Sequence, residues 1–445
     1  MTLTAGFADA VITPPVGTRM EGYSARTDVS RGVHDDLHAR AVVIDDGDTS
    51  VALVSCDLVG VDRRLVAAAR NLAEQATGIA PEQILIAATH THQGPAGLRF
   101  GADDELLDVT ARHIAGAIVQ AYDARRPAVL KVGGTTVDSI MQNRRHPDWP
   151  IDASLFVLLF DDPDPLQPPI AAVVNGACHP TILYHDNLLL SADYPGHLVR
   201  AVQELFPGIG ALFFNGACGD VNPNWIKQEH AEAVRVGVIV GAAAARLIGE
   251  LRPLGPGQRA DNIRWSEHLE KPVTAGEIVD DVRLRVAGRR VELPAKRYLQ
   301  PEGYESSLSD LQTSIDKFGE SEVDARRAIM AQMNRLRTER DVAARMAQQE
   351  RSSLYPEFMA VAFSKKLALL GLPGEFFVET VAEVRAQVGI PYLPVACYAN
   401  HYIGYVVPAG AYDEGGYEPG VSMLAPEAEA IATREAVALL REVTG

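Results

Sequence analysis

Short apolar runs alternate with amphipathic helical patterns through the first half of the chain. Apolar residues recur at intervals of three and four over 63–75, 105–122, 195–205 and 231–251, which predicts helices that cover a sheet. The apolar runs, each followed by turn residues, are typical of buried strands; they are AVVIDD, SVALVSCD, QILIAATHTH, AVLKVGG, SLFVLLF, IAAVVNGACH and GALFFNGACGD. The pattern predicts an α/β fold with a central mixed sheet flanked by helices.

The pattern changes between residues 256 and 354, where charged residues increase and 322–351 predicts one long amphipathic helix. Strand patterns return at PEFMAVAFSKKLALLGLPGEFF, and helices are predicted at 378–388 and 426–443. We therefore predict a single domain over 1–445, with a largely helical insertion or cap at 256–354 before the C-terminal third. Two roles are open for this insertion: it roofs a pocket, or it mediates formation of a homo-oligomer.

Composition narrows the class of partner. A net charge of −17 argues against binding to nucleic acid, because phosphate contacts depend on Lys and Arg. The start MTLTAGFADAVITPP has neither a basic nor a long apolar segment, and no stretch has the ~20 apolar residues of a membrane span, so we expect a cytoplasmic protein without stable membrane association. The cysteines form no CxxC pair and are interpreted as buried thiols.

Histidines follow two of the predicted strands. His90 and His92 end ILIAATHTHQGP, where side chains two residues apart on a strand would share a face, and His179 ends IAAVVNGACHPT. Imidazole is a frequent zinc ligand, and catalytic zinc sites typically use about three protein ligands with one position open to water. The spacing indicates a metal site, although a histidine pair that only transfers protons stays open at this point.

Polar residues at other strand ends have less specific interpretations. The loop FFNGACGDVNPNW could adopt positive φ angles and expose N–H groups to an oxyanion, with Asp220 orienting a histidine or capping the next segment. Asp57 could fix a histidine tautomer or cap a helix. Glu375 at a predicted helix start is explained equally well by the helix dipole.

Taken together, the motifs resemble the neutral (non-lysosomal) ceramidase family, specifically its N-terminal catalytic domain. The resemblance rests on segments in the same order over nearly the entire chain. They are GFADAVITPPVGTRMEGY, GVHDDLHARAVVI, VALVSCDLVG, ATHTHQGP, NRRHP, NGACHPT, SADYPG, FFNGACGDVNPN, LPGEFF and YANHYIGYV.

The resemblance implies one zinc ion held by four side chains. The ligands that it implies are His90, His179, Glu375 and Tyr405, with Tyr402 as the alternative to Tyr405. A zinc ion in such a site would lower the pKa of a bound water towards ~7.

Two further residues match catalytic residues of the family. By the same resemblance, His92 assists proton transfer, and Arg144 stabilises the charge that develops on the substrate carbonyl, provided that Arg145 does not occupy that place.

The chain departs from the family pattern at Asn222, where the family has an active-site serine in GDVSPN. An amide is not a nucleophile, so we expect direct attack by zinc-bound hydroxide, with Asn222 helping to hold the oxyanion. Secreted ceramidases carry a signal sequence and an immunoglobulin-like C-terminal domain. Because neither is evident in the sequence, we expect a soluble small amide as substrate rather than ceramide.

The leading hypothesis is therefore a zinc-dependent hydrolase that cleaves the carbon–nitrogen bond of a linear or cyclic amide. An esterase or lactonase using the same zinc site is the first alternative, since the metal does not select the leaving group. A non-catalytic descendant that keeps zinc to bind a ligand is the second alternative, and the replacement of serine by Asn222 motivates it.

Overall fold

Strands and helices alternate along the chain in a computed structural model that describes residues 2–100, 103–253, 276–297, 301–317, 323–349 and 352–445. The strands are Thr4–Val11 (β1), Gly32–Val33 (β2), His38–Asp45 (β3), Ser50–Cys56 (β4), Ile84–Ala88 (β5), Arg126–Pro127 (β6), Val129–Thr136 (β7), Met141–Asn143 (β8), Ser154–Asp161 (β9), Ala171–Gly176 (β10), Leu189–Leu190 (β11), Gly210–Asn215 (β12), Val221–Pro223 (β13), Gly276–Ile278 (β14), Arg285–Arg290 (β15), Leu293–Pro294 (β16), Ser353–Leu354 (β17), Glu357–Ser364 (β18), Leu367–Gly371 (β19), Glu375–Phe376 (β20), Val395–Ala396 (β21) and Tyr405–Val406 (β22). The helices are Arg63–Thr77 (α1), Asp104–Asp123 (α2), Asp193–Leu205 (α3), His230–Leu251 (α4), Pro301–Ile315 (α5), Val323–Gln349 (α6), Val378–Val388 (α7), Ala409–Glu414 (α8), Tyr417–Val421 (α9) and Ala428–Thr444 (α10).

The main strands form three mixed sheets. The first has the order β5-β4-β3-β1-β6, the second β12-β10-β9-β7-β14 and the third β15-β18-β19-β21. Within the described ranges, each sheet contains one parallel pair, namely β4 with β5, β10 with β12, and β19 with β21; the other pairs are antiparallel. The predicted α/β class with mixed sheets and flanking helices is confirmed, and the strands are divided among several sheets.

The three sheets share one apolar core. Residues such as Leu53 of the first sheet, Phe160 of the second and Val361 of the third are fully buried in a single cluster between the sheets. Helix α2 covers the outer face of the first sheet, α3 and α4 cover the second, and α10 packs on the third. Each fully buried aliphatic side chain contributes ~1.5–3 kcal/mol, so this core holds the three sheets in fixed relation.

The parallel pairs place several strand ends at one region of the molecule. Parallel strands end at the same edge of a sheet, where α/β proteins commonly bind ligands. The predicted metal ligands lie beyond these strands: His90 and His179 follow β5 and β10, and Glu375 and Tyr405 begin β20 and β22, the short paired strands that come next in the chain after β19 and β21.

The predicted insertion at 256–354 contains strands as well as helices where the structure describes it. Strand β14 pairs with β7 and β15 pairs with β18, so 276–290 extends the second and third sheets. The helical part is confined to α5 and α6, and the long helix predicted over 322–351 is described from Val323 to Gln349. Residues 254–275 of this region lie outside the described ranges.

All four cysteines are buried free thiols, as the sequence predicted. Within the described ranges, no helix combines the length and apolarity that crossing a bilayer requires.

Asp193 joins helix α3 to the segment that follows His179. It adopts a left-handed φ of 55°, and its carboxylate accepts hydrogen bonds from the N–H groups of Leu183 at 3.0 Å and Tyr194 at 2.6 Å. The side chain has no solvent exposure, and this burial raises the pKa of Asp193 to about 7.

We predict that Asp193→Asn changes the pH dependence of stability. An unfolded aspartate has a pKa of ~3.9, so the folded state holds a proton that the unfolded state loses between about pH 4 and 7, and wild-type stability falls as pH rises through this range. The variant has no carboxyl group at this position and so lacks this contribution to the pH dependence of stability. Asparagine also tolerates the left-handed conformation, so the backbone should be retained. The difference in unfolding free energy in favour of the wild type should shrink from pH 4 to 7 in denaturant titrations; a constant difference would contradict the assignment.

Candidate metal centre and active site

His90 and His92 lie just beyond strand β5 rather than on it. His90 has a φ of 71°, a left-handed conformation that is uncommon for residues other than glycine and often marks functional sites. The Nε2 atoms of His90 and His92 are 3.2 Å apart. The prediction that the two rings meet is confirmed, but strand alternation was the wrong reason, because the backbone turns at His90.

His179 approaches the same point from the second sheet. Its Nε2 lies 3.1 Å from Nε2 of His90. The other ring nitrogen, Nδ1, contacts the carbonyl of Cys218 at 2.6 Å, and Nδ1 of His90 contacts the carbonyl of Val59 at 2.6 Å. A carbonyl only accepts hydrogen bonds, so each Nδ1 carries the proton and each neutral ring presents a lone pair at Nε2.

Glu375 completes a cluster of hydrogen-bond acceptors. Its Oε2 lies 3.4 Å from Nε2 of both His90 and His179 and has no hydrogen-bond partner among the described residues. Its Oε1 accepts a hydrogen bond from the hydroxyl of Tyr402. Two lone pairs and a buried carboxylate oxygen facing one another without a donor repel, unless a cation lies between them. Two imidazoles and a carboxylate match the ligand preference of zinc, so the residues fit the implied ion.

Burial and the neighbouring side chains together set the protonation states of this cluster. Burial lowers the pKa of His92 well below its ordinary value and that of His179 to about 4, so both rings are neutral near pH 7. Burial alone would raise the pKa of Glu375, but His90 and His179 hold it well below its usual range. Neutral imidazoles beside an ionised carboxylate are the forms that bind zinc.

Arg144, Asn222 and Tyr405 form a second group beside the histidines. The Arg144 guanidinium donates to the Tyr405 hydroxyl at 3.0 Å and to Oδ1 of Asn222 at 3.4 Å. Tyr405 is aligned with Glu375 in the parallel ribbon of β20 and β22, which ties this group to the acceptor cluster. Arg144 lines the adjoining cavity, whereas Arg145 is bound to Glu414 and Glu418 and does not line it.

Both candidate tyrosines lie close to Glu375. The Tyr402 hydroxyl donates to Glu375, while the Tyr405 hydroxyl accepts from Arg144. Tyr405 borders both cavities described below, and Tyr402 borders only the smaller one. Tyr405 as a metal ligand stays a prediction.

The glycine-rich loop after β12 does not form the predicted oxyanion seat. Its glycines are not in the positive-φ region, and the N–H groups of Gly216, Gly219 and Val221 donate to backbone carbonyls. A Cβ added to Gly219 would lie 2.9 Å from the carbonyl oxygen of Phe376 and 3.0 Å from that of Glu375. This glycine therefore allows the loop to pack closely against the strand that carries Glu375.

The predicted orienting carboxylates have structural roles instead. Asp57 accepts hydrogen bonds from the His38 N–H at 2.9 Å and from Arg40 at 2.6 Å. Asp220 accepts from the Val378 N–H at 3.0 Å and from Asn143 at 2.7 Å, so it binds the start of the distant helix α7 rather than a histidine or the next segment of the chain. Backbone carbonyls, which carry no sequence signature, fix the histidine tautomers.

Two cavities meet beside His92. A cavity of about 840 Å³ is lined by residues including Arg144, Asn222 and Trp225, and one of about 670 Å³ by residues including His90 and Glu375. They share Gly22, Tyr23, Ser24, His92, Tyr405 and Tyr417. Helix α6 borders both cavities and so forms part of their walls.

Three further residues support the site and were not predicted. Glu418 accepts a hydrogen bond from Nε of Arg144 at 2.7 Å, Tyr398 stacks on His90 with ring centroids 4.0 Å apart, and Tyr23 contacts the edge of His92 at 4.9 Å. Tyr23 and Tyr398 stand at the ends of two of the quoted family segments, GFADAVITPPVGTRMEGY and YANHYIGYV, but a tyrosine in a segment does not indicate which histidine it contacts; Glu418 lies outside the quoted segments.

The fold and the donor set define an α/β protein with a candidate metal centre built from histidines and a carboxylate. The sequence profile described as "Neutral/alkaline non-lysosomal ceramidase, N-terminal" matches residues 3–234, more than half of the chain. The chain belongs to this family, and the resemblance inferred from its motifs is confirmed.

Known relatives extend the match over different lengths. The neutral ceramidase of Drosophila melanogaster is 27% identical over 258 residues, which are 50% of this chain and 36% of that protein. The neutral ceramidase of Pseudomonas aeruginosa is 23% identical over 473 residues, covering 92% of this chain and 67% of that one. This chain thus spans little more than a third of the insect protein.

Solved structures show the same fold over the whole chain. A structure described as "Ceramidase complexed with C2" has a TM-score of 0.73 and 20% identity, covering 100% of this chain and 76% of that one. The crystal structure of neutral ceramidase from Pseudomonas aeruginosa gives a TM-score of 0.71 at 20% identity and covers 100% and 75% of the two chains.

We predict that Tyr405→Phe weakens zinc binding more than Tyr402→Phe does. Loss of a direct ligand should lower affinity by more than the ~10–100-fold typical of a residue that only orients a ligand, which is the role of Tyr402 towards Glu375. Competition titrations with a chromophoric chelator would measure both variants. A larger loss in Tyr402→Phe would assign the ligand to Tyr402.

Proposed function

We propose that this protein is a zinc-dependent hydrolase that cleaves the carbon–nitrogen bond of an amide. The observation that carries the proposal is the buried convergence of His90, His179 and Glu375 next to His92, where two cavities meet, with Arg144 lining the larger cavity. Membership of the ceramidase family supports the same bond type, because its named relatives are ceramidases.

The residues that would hold the ion are His90, His179 and Glu375, with Tyr405 as the fourth ligand implied by the family. A zinc ion bound there polarises a substrate carbonyl and acidifies water. The structure also brings His92 within the same cluster, since ligand atoms of His90, His92 and His179 all lie within 4.8 Å of one another. His92 as acid/base rather than ligand is therefore part of the proposal.

Arg144 and Asn222 are placed to stabilise the oxyanion of the tetrahedral intermediate. Both line the larger cavity. Oδ1 of Asn222 accepts a hydrogen bond from Arg144, which orients the amide so that its Nδ2 acts as a donor. Glu418 fixes the guanidinium through Nε, so the remaining N–H groups are held in position before substrate binds.

His92 is suited to carry a proton to the leaving amine. Its ring is buried and neutral, it borders both cavities, and its Nδ1 has no hydrogen-bond partner among the described residues. A neutral imidazole can accept a proton from attacking water and return it to the leaving nitrogen, which is typical of general acid–base catalysis.

The proposed substrate class is an N-acyl amine. The relatives are named for ceramide, a lipid amide, whereas the sequence alone predicted a soluble small amide; both contain the N-acyl bond to which the proposal commits. The larger cavity has aromatic and aliphatic walls that fit an acyl chain, including Tyr23, Tyr184, Trp225 and Met330.

We predict that His92→Gln lowers kcat by about 10²–10⁴-fold while zinc content is retained, because the variant removes the acid/base but none of the proposed ligands. His179→Ala should lose activity together with the zinc ion of this site. Elemental analysis and steady-state kinetics on the same preparations would measure this, with His113→Gln on the exposed face of α2 as control. Loss of zinc in His92→Gln would make His92 a ligand, and full activity of His179→Ala would overturn the metal mechanism.

Amide cleavage is predicted to dominate over ester cleavage. Matched amide and ester substrates, in soluble short-chain and micellar ceramide forms, would give kcat/KM for each. We expect the enzyme to hydrolyse the soluble short-chain amide, the micellar ceramide, or both. A preference for esters by several orders of magnitude would establish the esterase or lactonase alternative, and zinc binding without any turnover would establish the ligand-binding one.

A further inference from the structure

A second cluster of metal-binding side chains lies outside the site described above. It consists of Asp35, His197 and His230, whose ligand atoms lie within 4.8 Å of one another. The three residues come from the segment after β2, the middle of α3 and the first residue of α4. None of them belongs to the His90 cluster.

The carboxylate of Asp35 is fixed and buried. Its side chain is 3% exposed, Oδ2 accepts a hydrogen bond from the Ser191 hydroxyl at 2.6 Å, and Oδ1 accepts from the Ala192 N–H at 2.9 Å. These neutral donors orient the carboxylate without cancelling its charge, so a buried negative charge faces the two histidines.

The histidines are directed at the same carboxylate oxygen. Nε2 of His230 lies 3.5 Å and Nε2 of His197 lies 4.0 Å from Oδ2 of Asp35. Nε2 of His230 is buried and has no hydrogen-bond partner among the described residues. Ligands about 2.0–2.1 Å from a tetrahedral zinc ion are separated by about 3.3 Å. The 3.5 Å distance between His230 and Asp35 is already close to this value, whereas the 4.0 Å distance between His197 and Asp35 must shorten when an ion binds.

The surroundings fix the plane of His230 and keep His197 neutral. The ring of His34 stacks on His230 with centroids 4.2 Å apart and an interplanar angle of 9°. Burial lowers the pKa of His197 to about 4, so the ring is neutral near pH 7 and has a single available nitrogen lone pair, which accepts a hydrogen bond from Arg200 until that side chain is displaced.

We propose that Asp35, His197 and His230 form a second binding site for a divalent ion of the zinc class. Two imidazoles and one carboxylate exclude Mg²⁺ and Ca²⁺, which prefer oxygen ligands, and match zinc with an open coordination position. The ion fastens the start of α4 to α3 and to the segment after β2.

The second site adjoins the segment that carries His92. Asp35 holds Ser191, whose carbonyl accepts from the Thr91 hydroxyl at 2.7 Å and whose N–H donates to the Gln93 carbonyl at 3.3 Å. These bonds bracket His92. An ion bound to Asp35 therefore stabilises the backbone on both sides of that residue.

Arg200 is the competing cation. One of its terminal nitrogens lies 2.7 Å from Nδ1 of His197 and 4.0 Å from Asp35. Its side chain is 46% exposed, so it can swing into solvent when an ion binds. This contact gives the proposal a directional test, because removing the guanidinium removes a positive charge that repels the ion.

The test is a zinc titration of protein stripped by a chelator, followed by calorimetry, with Mg²⁺ as the comparison ion. Wild type should bind about two zinc ions per chain, His230→Gln and His197→Gln about one, and His179→Ala about one at the remaining site. His113→Gln, an exposed histidine on α2, should still bind about two. Arg200→Gln should bind zinc at the second site several-fold more tightly.

Two results would overturn the proposal. One is a wild type that binds a single zinc ion, which His179→Ala then abolishes. The other is an unchanged stoichiometry in both His230→Gln and His197→Gln, each verified as folded by its thermal unfolding curve, together with an Arg200→Gln variant whose stability falls while its zinc affinity is unchanged. In that case the cluster is an Arg–His–Asp ion-pair network.

Discussion

The structure depends on one electrostatic constraint: hydrogen-bond acceptors from three sheets face one another in a buried space without a donor between them. Nε2 of His90, Nε2 of His179 and Oε2 of Glu375 are separated by 3.1–3.4 Å. Nδ1 of each histidine donates to a backbone carbonyl, that of Val59 or Cys218, and the Tyr402 hydroxyl donates to the other carboxylate oxygen of Glu375. A cation is the partner that makes this arrangement favourable, and the fold is organised to present it with neutral nitrogens and one negative oxygen.

The three-sheet architecture explains how residues so far apart in the chain reach this point. Each sheet contributes one parallel strand pair, and the segments after those strands meet at a common edge. The shared core between the sheets fixes their relation. Two local features then determine the final positions of the side chains. The backbone of His90 is left-handed, and Gly219 allows its loop to pack closely against the strand of Glu375, where a side chain would collide with that strand. Rigid positioning of this kind is what preorganised metal sites require.

The sequence predicted the element pattern well because strand and helix periods are local properties. The helices at 63–77 and 230–251 and the buried strands near His90 and His179 follow directly from apolar spacing. The grouping of strands into three sheets was not predictable in this way, because register and partner choice are set by long-range packing. The same limit applies to 276–290, whose strands join sheets formed by distant residues.

The candidate site was predictable only in part for the same reason. His90, His92 and His179 carry strand-end signals, whereas Glu375 and Tyr405 were selected through family resemblance. Hydrogen bonds to backbone carbonyls and to Glu418 have no signature in the local sequence. The proposed roles of Asp57 and Asp220 were misassigned because an isolated carboxylate is compatible with several structural and catalytic roles.

Anomalous X-ray scattering at the zinc absorption edge, from crystals of the protein as purified, tests the central claim most directly. The account predicts a peak between His90, His179 and Glu375, with ligand distances of about 2.0–2.2 Å and an open position facing the cavity. An anomalous map without a peak at that point, in protein whose two histidine rings keep their present positions, would contradict it.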